Sequence, residues 1–159
     1  MSNSSPSSLT LLPPRILLSL MATVTAAGGY LADWNETHVF NPRWPSHAKF
    51  HNGQTMSTGL GLGLLTAYYT WRPTNTSTMA GALDNLFTAS LFASLYWITQ
   101  VSAILYPGAD WVDEEFREKY GTPQKRGAPV LFGLSWVAYG LARARAYGMG
   151  AVFGKAKEL

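Results

Sequence analysis

The chain has 159 residues, of which 47% are hydrophobic and 13% are charged, against about 25% charged residues in an ordinary soluble domain. Twelve Lys and Arg against nine Asp and Glu give a formal net charge of +3, a surplus too small to predict nucleic-acid binding. Cysteine is absent, which excludes a disulfide framework, a thiolate zinc site and a cysteine nucleophile.

Four runs of the chain contain no charged residue, and they cover residues 16–32, 55–71, 86–106 and 127–142. A charge at the centre of a bilayer costs at least about 2.5 to 3.5 kcal/mol, whereas a soluble bundle carries charges along one face of each helix. This segregation predicts an all-α fold, an integral membrane four-helix bundle with spans at about 14–33, 54–72, 80–106 and 127–147. A buried soluble bundle is the alternative, because the mean hydropathy is only +0.01.

The two ends of the chain are predicted to lie outside the membrane. Residues 1–13 are rich in Ser and Pro and predict a disordered N-terminal tail, while residues 151–159 predict a cytosolic tail. We interpret the first helix as an uncleaved span, although small residues near Ala26 would also suit signal-peptide cleavage. The third loop, residues 107–126, is predicted to contain a short surface helix near 111–120.

Four spans place both tails and the second loop at one end of the bundle, the tail end, and the first and third loops at the other, the loop end. Lys and Arg are equally numerous at both ends, and acidic residues concentrate at the loop end. The C-terminal pattern Lys155-Ala-Lys157-Glu-Leu matches a dilysine signal read by cytosolic coat proteins, although lysines are common in basic tails. We therefore expect a multi-pass endoplasmic reticulum membrane protein with cytosolic tails and a lumenal sequon at Asn35; the sequons at Asn3 and Asn75 would face the cytosol.

All three histidines lie within 14 residues of the first loop and the helix after it. Ser46 is predicted to cap a helix that begins at His47, which places His47 and His51 four residues apart on one helix face. That pair can ligate one metal ion, with His38 as a third ligand. Neutral imidazole suits Fe, Cu or Zn. The sequence therefore leaves two alternatives for the cofactor: one of these metals, or no cofactor.

Two other interpretations of the histidines remain open. One histidine can exchange protons with Asp33 or Glu36 in a metal-free acid/base site, since imidazole titrates near neutral pH. Alternatively, the histidines and Trp44 only fix a loop on the membrane surface. The pattern H-x-x-x-H lacks the internal Glu of the zinc proteases, so peptide hydrolysis is disfavoured.

Further polar and aromatic residues are predicted to shape a pocket near the histidines. Gln100 lies near the loop end of the third span and needs a hydrogen-bond partner in hydrocarbon. The predicted substrate-binding residues are Arg43, Trp44, Tyr96, Trp97, Gln100 and Trp136. Gly59 and Gly63 lie four apart on one helix face and permit close helix–helix association.

The segment from His38 to His51 resembles that of a family of short, mainly fungal multi-pass membrane proteins. The family motif is close to H-x-F-N-P-R-W-P-x-H-A-[KR]-F-H, and here it comprises His38, Phe40, Asn41, Pro42, Arg43, Trp44, Pro45, His47, Ala48, Lys49, Phe50 and His51. The motif covers about a tenth of the chain, and the resemblance implies a four-helix membrane layout but no reaction. In size and span number the chain is also similar to small fungal membrane enzymes of secondary metabolism, such as anthrone oxygenases and membrane-bound cyclases.

These patterns predict a small membrane-embedded enzyme that isomerises, cyclises or oxidises a lipophilic metabolite resembling a polyketide or terpenoid. The predicted catalytic residues are His38, His47, His51, Asp33 and Glu36. The expected partners are a lipophilic small molecule and membrane lipid, without nucleic acid. The alternative is a non-catalytic protein that binds a lipid or chaperones a partner through Gly59 and Gly63.

Overall fold

The computed structural model describes residues 9–73 and 78–155, and within these ranges the chain is all-helical, with no strand. Its helices are α1 (Leu12–Asp33), α2 (Ser46–Trp71), α3 (Met79–Ser102), α4 (Arg117–Tyr120) and α5 (Pro123–Lys155). Short 3₁₀ turns follow α3 at Ala103–Leu105 and precede α4 at Glu114–Phe116. The all-α prediction and the short helix in the third loop are confirmed.

Several helix ends differ from the predicted boundaries. α1 begins at Leu12, and Pro13 and Pro14 lie in its first turn. The backbone N–H groups of a first turn have no partner within the helix, so proline loses nothing there, and its fixed φ suits a helix. The prediction that Ser46 caps α2 is wrong: Pro45 is the N-cap, its φ of −64° and ψ of 156° end the loop, and Ser46 is already helical. α5 continues to Lys155. Residues 1–8 and 156–159, with most of the two predicted tails, lie outside the described residues.

The four long helices close a ring in which α1 packs on α2 and α5, and α3 packs on α2 and α5. Half of the buried hydrophobic side chains are alanines, and the buried polar ones include Thr25, Thr66, Ser90 and Ser135. The helices therefore approach closely through small side chains. Two segments, Leu12–Asp33 and Met79–Leu105, are long and apolar enough to cross a membrane.

Gly59 and Gly63 lie where α2 crosses α1. A Cβ on Gly59 would be 2.9 Å from the carbonyl oxygen of Thr25, and one on Gly63 would be 2.6 Å from that of Ala22. The predicted close approach therefore occurs between two helices of the same chain, and α1 covers the glycine face.

Candidate polar site at the loop end

The loop after α1 is folded around the side chain of Asn35. Its Nδ2 donates to the carbonyl oxygen of Ala32 (2.7 Å), and its Oδ1 accepts from the backbone N–H (2.8 Å) and hydroxyl (2.7 Å) of Thr37. The Thr37 oxygen also lies 2.6 Å from Nδ1 of His38. Because the single hydroxyl proton of Thr37 is donated to Asn35, Nδ1 of His38 must donate to Thr37. The neutral His38 ring then carries its proton on Nδ1 and a free lone pair on Nε2.

Asp33, the last residue of α1, lies behind this imidazole. Its Oδ1 is 3.7 Å from Nδ1 of His38, a distance for electrostatic attraction rather than a hydrogen bond. The other oxygen, Oδ2, accepts a hydrogen bond of 2.8 Å from Nδ2 of Asn52 on α2. Asp33 is 17% exposed and His38 30% exposed. Asn52 of α2 therefore orients the Asp33 carboxylate, which lies next to the His38 ring.

Three polar side chains reach the same level of the bundle from three helices. A Cβ on Gly29 of α1 would lie 3.4 Å from the Tyr96 hydroxyl of α3 and 3.5 Å from Cα of Met56 on α2, so these positions meet. One helical turn closer to the loops, on the same faces, are Asp33, Asn52 and Gln100.

Two of these side chains carry a buried oxygen that lacks a donor. Oδ1 of Asn52 and Oε1 of Gln100 are buried and accept no hydrogen bond from the described residues. Leaving a buried acceptor unsatisfied costs about 1–3 kcal/mol. Two buried acceptors of α2 and α3 therefore have no donor in the part of the chain that the structure describes.

His47 and His51 form a separate pair on the exposed face of the first turns of α2. Their Nε2 atoms are 3.0 Å apart. Nδ1 of His51 lies 3.3 Å from Oε1 of Gln54, an oxygen that can only accept, so Nδ1 of His51 is protonated and His47 donates through Nε2 to His51. The predicted spacing is confirmed. The pair can share one proton, or it can supply two ligands to one metal ion.

The three histidines do not form one site in the structure. In residues 9–73 and 78–155, no group of three His, Asp or Glu side chains is placed to hold a metal ion. His38 instead contacts Asp33 and the edge of Trp44, with ring centroids 4.8 Å apart. The turn around Asn35 brings His38 back to the end of α1, whereas His47 and His51 lie on the exposed face of α2.

Glu36 and Arg43, predicted to serve the reaction or the substrate, bind the third loop instead. Glu36 accepts from Lys119 (2.7 Å) and from the Tyr120 hydroxyl, and these bonds lower the pKa of Glu36 to about 2. The same contact raises the pKa of Lys119. Arg43 forms an ion pair with Glu115.

A surface groove of about 280 Å³ lies next to the Arg43 pair, lined by Asn41, Arg43, Trp44, Asp113, Glu114 and Glu115. We call two sets of contacts the loop latch: those of Glu36 with Lys119 and Tyr120, and the ion pair of Arg43 with Glu115.

The predicted aromatic residues have different roles. Tyr96 and Trp97 are buried, and Nε1 of Trp97 donates to the Thr25 hydroxyl (3.1 Å). Trp136 of α5 packs on Phe87 of α3 and on Tyr139 of its own helix, and the ring centroids are 5.7 and 6.5 Å away. Because Phe87 precedes Gln100 by 13 residues on α3, Trp136 lies about 20 Å along the bundle from the polar site.

Sequence reasoning missed Asn52, Thr37 and the partners in the third loop. A signal for Asn52 exists: residues 52, 56, 59 and 63 share one helix face, so Asn52 is on the face of the two packed glycines. The latch residues carry no comparable signal, because more than 80 positions separate Glu36 from Lys119.

Comparisons with known proteins place the chain in one group. No curated protein and no solved structure matches it. A family described as a family of unknown function (DUF6640) matches residues 17–152, which include most of α1, all of α2 to α4, most of α5 and all three histidines. The match spans well over half of the chain, and the protein therefore belongs to this family of unknown function, DUF6640.

Proposed function

We propose that the chain is a four-span membrane enzyme that moves a proton on a lipophilic, hydroxyl-bearing substrate at the loop end of its bundle. The single observation that carries the proposal is the Asn52–Asp33–His38 arrangement, in which Oδ1 of Asn52 is buried and has no donor among the described residues. The expected reaction is an isomerisation or a cyclisation, both of which need no redox partner.

The surface of the bundle supports the membrane placement. Large apolar side chains are exposed along all four long helices: Ile16, Leu20, Leu31, Leu60, Leu64, Leu95, Ile98, Val130, Val137 and Leu141. A soluble monomer rarely exposes such a continuous apolar surface. Inside, the Thr66, Thr70 and Ser135 hydroxyls donate to carbonyl oxygens four residues earlier, which satisfies them without water.

The orientation that we propose has the tails in the cytosol and the polar site facing the lumen of the endoplasmic reticulum. The dilysine pattern at the C-terminus supports the organelle. The charge distribution supports the orientation, because Arg43, Arg117 and Lys119 at the loop end are neutralised by acidic partners. Arg15 and Arg72 at the tail end have no acidic partner among the described residues, so the excess of positive charge lies on the side that we propose to be cytosolic.

His38 is the base in the proposed reaction. Its Nε2 lone pair removes a proton from a carbon next to a substrate carbonyl, which leaves an enolate and an imidazolium. Asp33 stabilises the imidazolium from the Nδ1 side. The imidazolium then returns the proton to another carbon of the same molecule, so that atoms and charge balance. General acid/base catalysis of this kind contributes typically about 10²- to 10⁴-fold.

The buried oxygens of Asn52 and Gln100 orient the substrate. Each accepts a hydrogen bond from a substrate hydroxyl, and a ligand with two such donors therefore gains two hydrogen bonds that a hydrocarbon of the same shape does not. The apolar remainder of the substrate lies in the bilayer between the helices.

Solvent deuterium exchange tests this function without knowledge of the final product. Full-length protein in lipid nanodiscs is incubated in D₂O with a panel of enolisable hydroxyketones of polyketide and terpenoid type. We expect deuterium at a carbon of at least one compound, and a loss of about 10²-fold or more in exchange rate in His38→Gln and Asp33→Asn. His47→Gln is the matched control and keeps the wild-type rate.

A binding measurement on the same panel separates the two candidate functions. A hydroxyketone that stabilises the protein, loses this effect in Gln100→Leu, and yet gains no deuterium would indicate the non-catalytic lipid-binding alternative. Equal exchange by wild type and folded His38→Gln would overturn the assignment of the base.

A further inference from the structure

The tail end of the bundle carries two arginines that stack on aromatic rings. The guanidinium carbon of Arg15 on α1 is 5.5 Å from the ring centroid of Trp71, and that of Arg72 is 4.8 Å from Tyr69 and 5.9 Å from Tyr68. Nε1 of Trp71 donates to the Ser19 hydroxyl (2.8 Å) and fixes the ring on α1. We call these five residues, Arg15, Tyr68, Tyr69, Trp71 and Arg72, the arginine–aromatic cluster.

Neither arginine of the cluster has an acidic partner among the described residues. Every ion pair found there lies at the loop end. Nε of Arg15 is buried and makes no hydrogen bond in the part of the chain that the structure describes. An arginine carries five N–H donors, and a desolvated donor without an acceptor is costly. The cluster therefore lacks anionic acceptors.

The geometry around Arg72 leaves space for such an acceptor. A groove of about 620 Å³ opens beside it, lined by Tyr68, Trp71, Arg72 and Pro73. Tyrosine and tryptophan side chains of this kind lie at the level of lipid headgroups in membrane proteins. A guanidinium forms paired, parallel hydrogen bonds to a phosphate, which the compact ammonium of lysine cannot do.

We infer that the arginine–aromatic cluster binds the phosphate headgroup of an anionic phospholipid at the membrane face that carries the two tails. Arg72, which lines the groove, holds the phosphate oxygens, Arg15 on the Trp71 ring adds a second positive charge, and Tyr68 and Trp71 cover the glycerol region. The inference rests on the membrane placement in the proposed function and is independent of the acid/base chemistry of His38. It assigns the two ends of the bundle different partners, a headgroup at the tail end and a substrate at the loop end.

Thermal unfolding of the detergent-purified full chain with added lipid tests the inference. We expect phosphatidylserine and phosphatidylinositol phosphate to stabilise the protein more than phosphatidylcholine does. In titrations, Arg15→Gln and Arg72→Gln should each weaken binding of the anionic lipid by about fivefold, and the double variant by about 30-fold. Arg126→Gln, an exposed and unpaired cation at the loop end, is the matched control and should bind like wild type.

Two further arms identify the ligand and protect the test against misfolding. Inorganic phosphate at millimolar concentration should not compete, whereas full competition would replace the lipid with a soluble phosphate ligand and overturn the inference. For wild type alone, the preference for anionic lipid should weaken as salt rises from 50 to 500 mM, because screening shortens the reach of the charges. A preference that is absent, or insensitive to salt, overturns the inference even if the variants do not fold. The deuterium exchange at His38 is a separate readout, so either proposal can fail alone.

Discussion

At the scale of single residues, the position of one proton determines what His38 can do. Asn35 is oriented by the carbonyl oxygen of Ala32 and the N–H of Thr37, and this orientation directs the Thr37 hydroxyl proton toward Asn35. The lone pair of His38 must therefore be on Nε2, away from Asp33. A sequence shows that these residues are close, but the hydrogen-bond geometry determines which nitrogen is basic.

The glycines of α2 provide a prediction at the same scale. A methyl group on Gly63 would be 2.6 Å from the Ala22 carbonyl oxygen and from Cβ of Ala26, whereas one on Gly61 meets nothing within 4 Å. Gly63→Ala should destabilise the purified protein by about 1–3 kcal/mol because α1 and α2 must separate. Gly61→Ala, two residues away on the same helix, should be neutral or stabilising by up to about 1 kcal/mol. Reversible unfolding in mixed detergent measures both, and equal effects would contradict the observed packing.

At the scale of elements, the loop latch couples the first loop to α4. Glu36, Lys119 and Tyr120 form its exposed centre, and Arg43 with Glu115 forms a second contact. Both loops begin and end at bundle helices, so the latch holds the segment that contains His38 over the loop end. Glu36 and Arg43, predicted to serve the reaction or the substrate, thus join the loop that carries His38 to the third loop.

The latch should respond to acid. The pKa of Glu36 is lowered from 4.5 to about 2 by the Lys119 and Tyr120 contacts. As the pH falls, Glu36 is therefore protonated at a higher pH when the loop is detached than when the latch is formed. The stabilising contribution of this carboxylate is complete above pH of about 4.5 and is lost as the pH falls toward 2. Hydrogen exchange of residues 114–120, corrected for intrinsic rates, should accelerate over this range. In Glu36→Gln, exchange should already be fast at pH 7 and lack this additional acceleration, while Glu118→Gln, an exposed neighbour, should match wild type. Unchanged protection in Glu36→Gln would exclude the latch.

At the scale of the whole molecule, small side chains are concentrated inside and many large aliphatic side chains lie outside. Alanine, serine and threonine make up more than half of the buried hydrophobic and polar side chains, with Leu18, Leu86 and Trp97 buried among them, and many leucine, isoleucine and valine side chains are exposed. Helices that pack through small residues gain from close backbone contact, and their large apolar side chains remain free to face lipid. The proposed four spans follow from this arrangement together with the charge-free runs.

The absence of cysteine makes the membrane orientation directly measurable. Ser46→Cys, at the start of α2, and Ala80→Cys, at the start of α3, introduce single exposed thiols at opposite ends of the bundle. In sealed microsomes, a membrane-impermeant maleimide should label Ala80→Cys at once and Ser46→Cys only after detergent is added. The reverse result would invert the orientation, and equal labelling of both before detergent would contradict spans that separate the two ends.

The sequence by itself determined the helices and the general location of the polar chemistry. Charge-free runs and proline positions act locally, so residues 16–32 or 86–106 predict a helix whatever they pack against, and the spacing of His47 and His51 predicts their shared face. Local patterns were less accurate for helix ends. α1 begins at Leu12, the N-cap of α2 is Pro45 rather than Ser46, and α5 continues to Lys155.

Only the tertiary structure decided which side chains meet. Asp33 contacts His38 and Asn52, rather than His47 or His51, because α2 brings Asn52 beside the end of α1. Glu36 and Arg43 pair with the third loop because α3 and α5 bring that loop beside the first. These contacts join residues that are distant along the chain, and their energies depend on how four helices pack, which no local pattern encodes. The same packing places Arg15 beside Trp71 and leaves it without an acidic partner among the described residues.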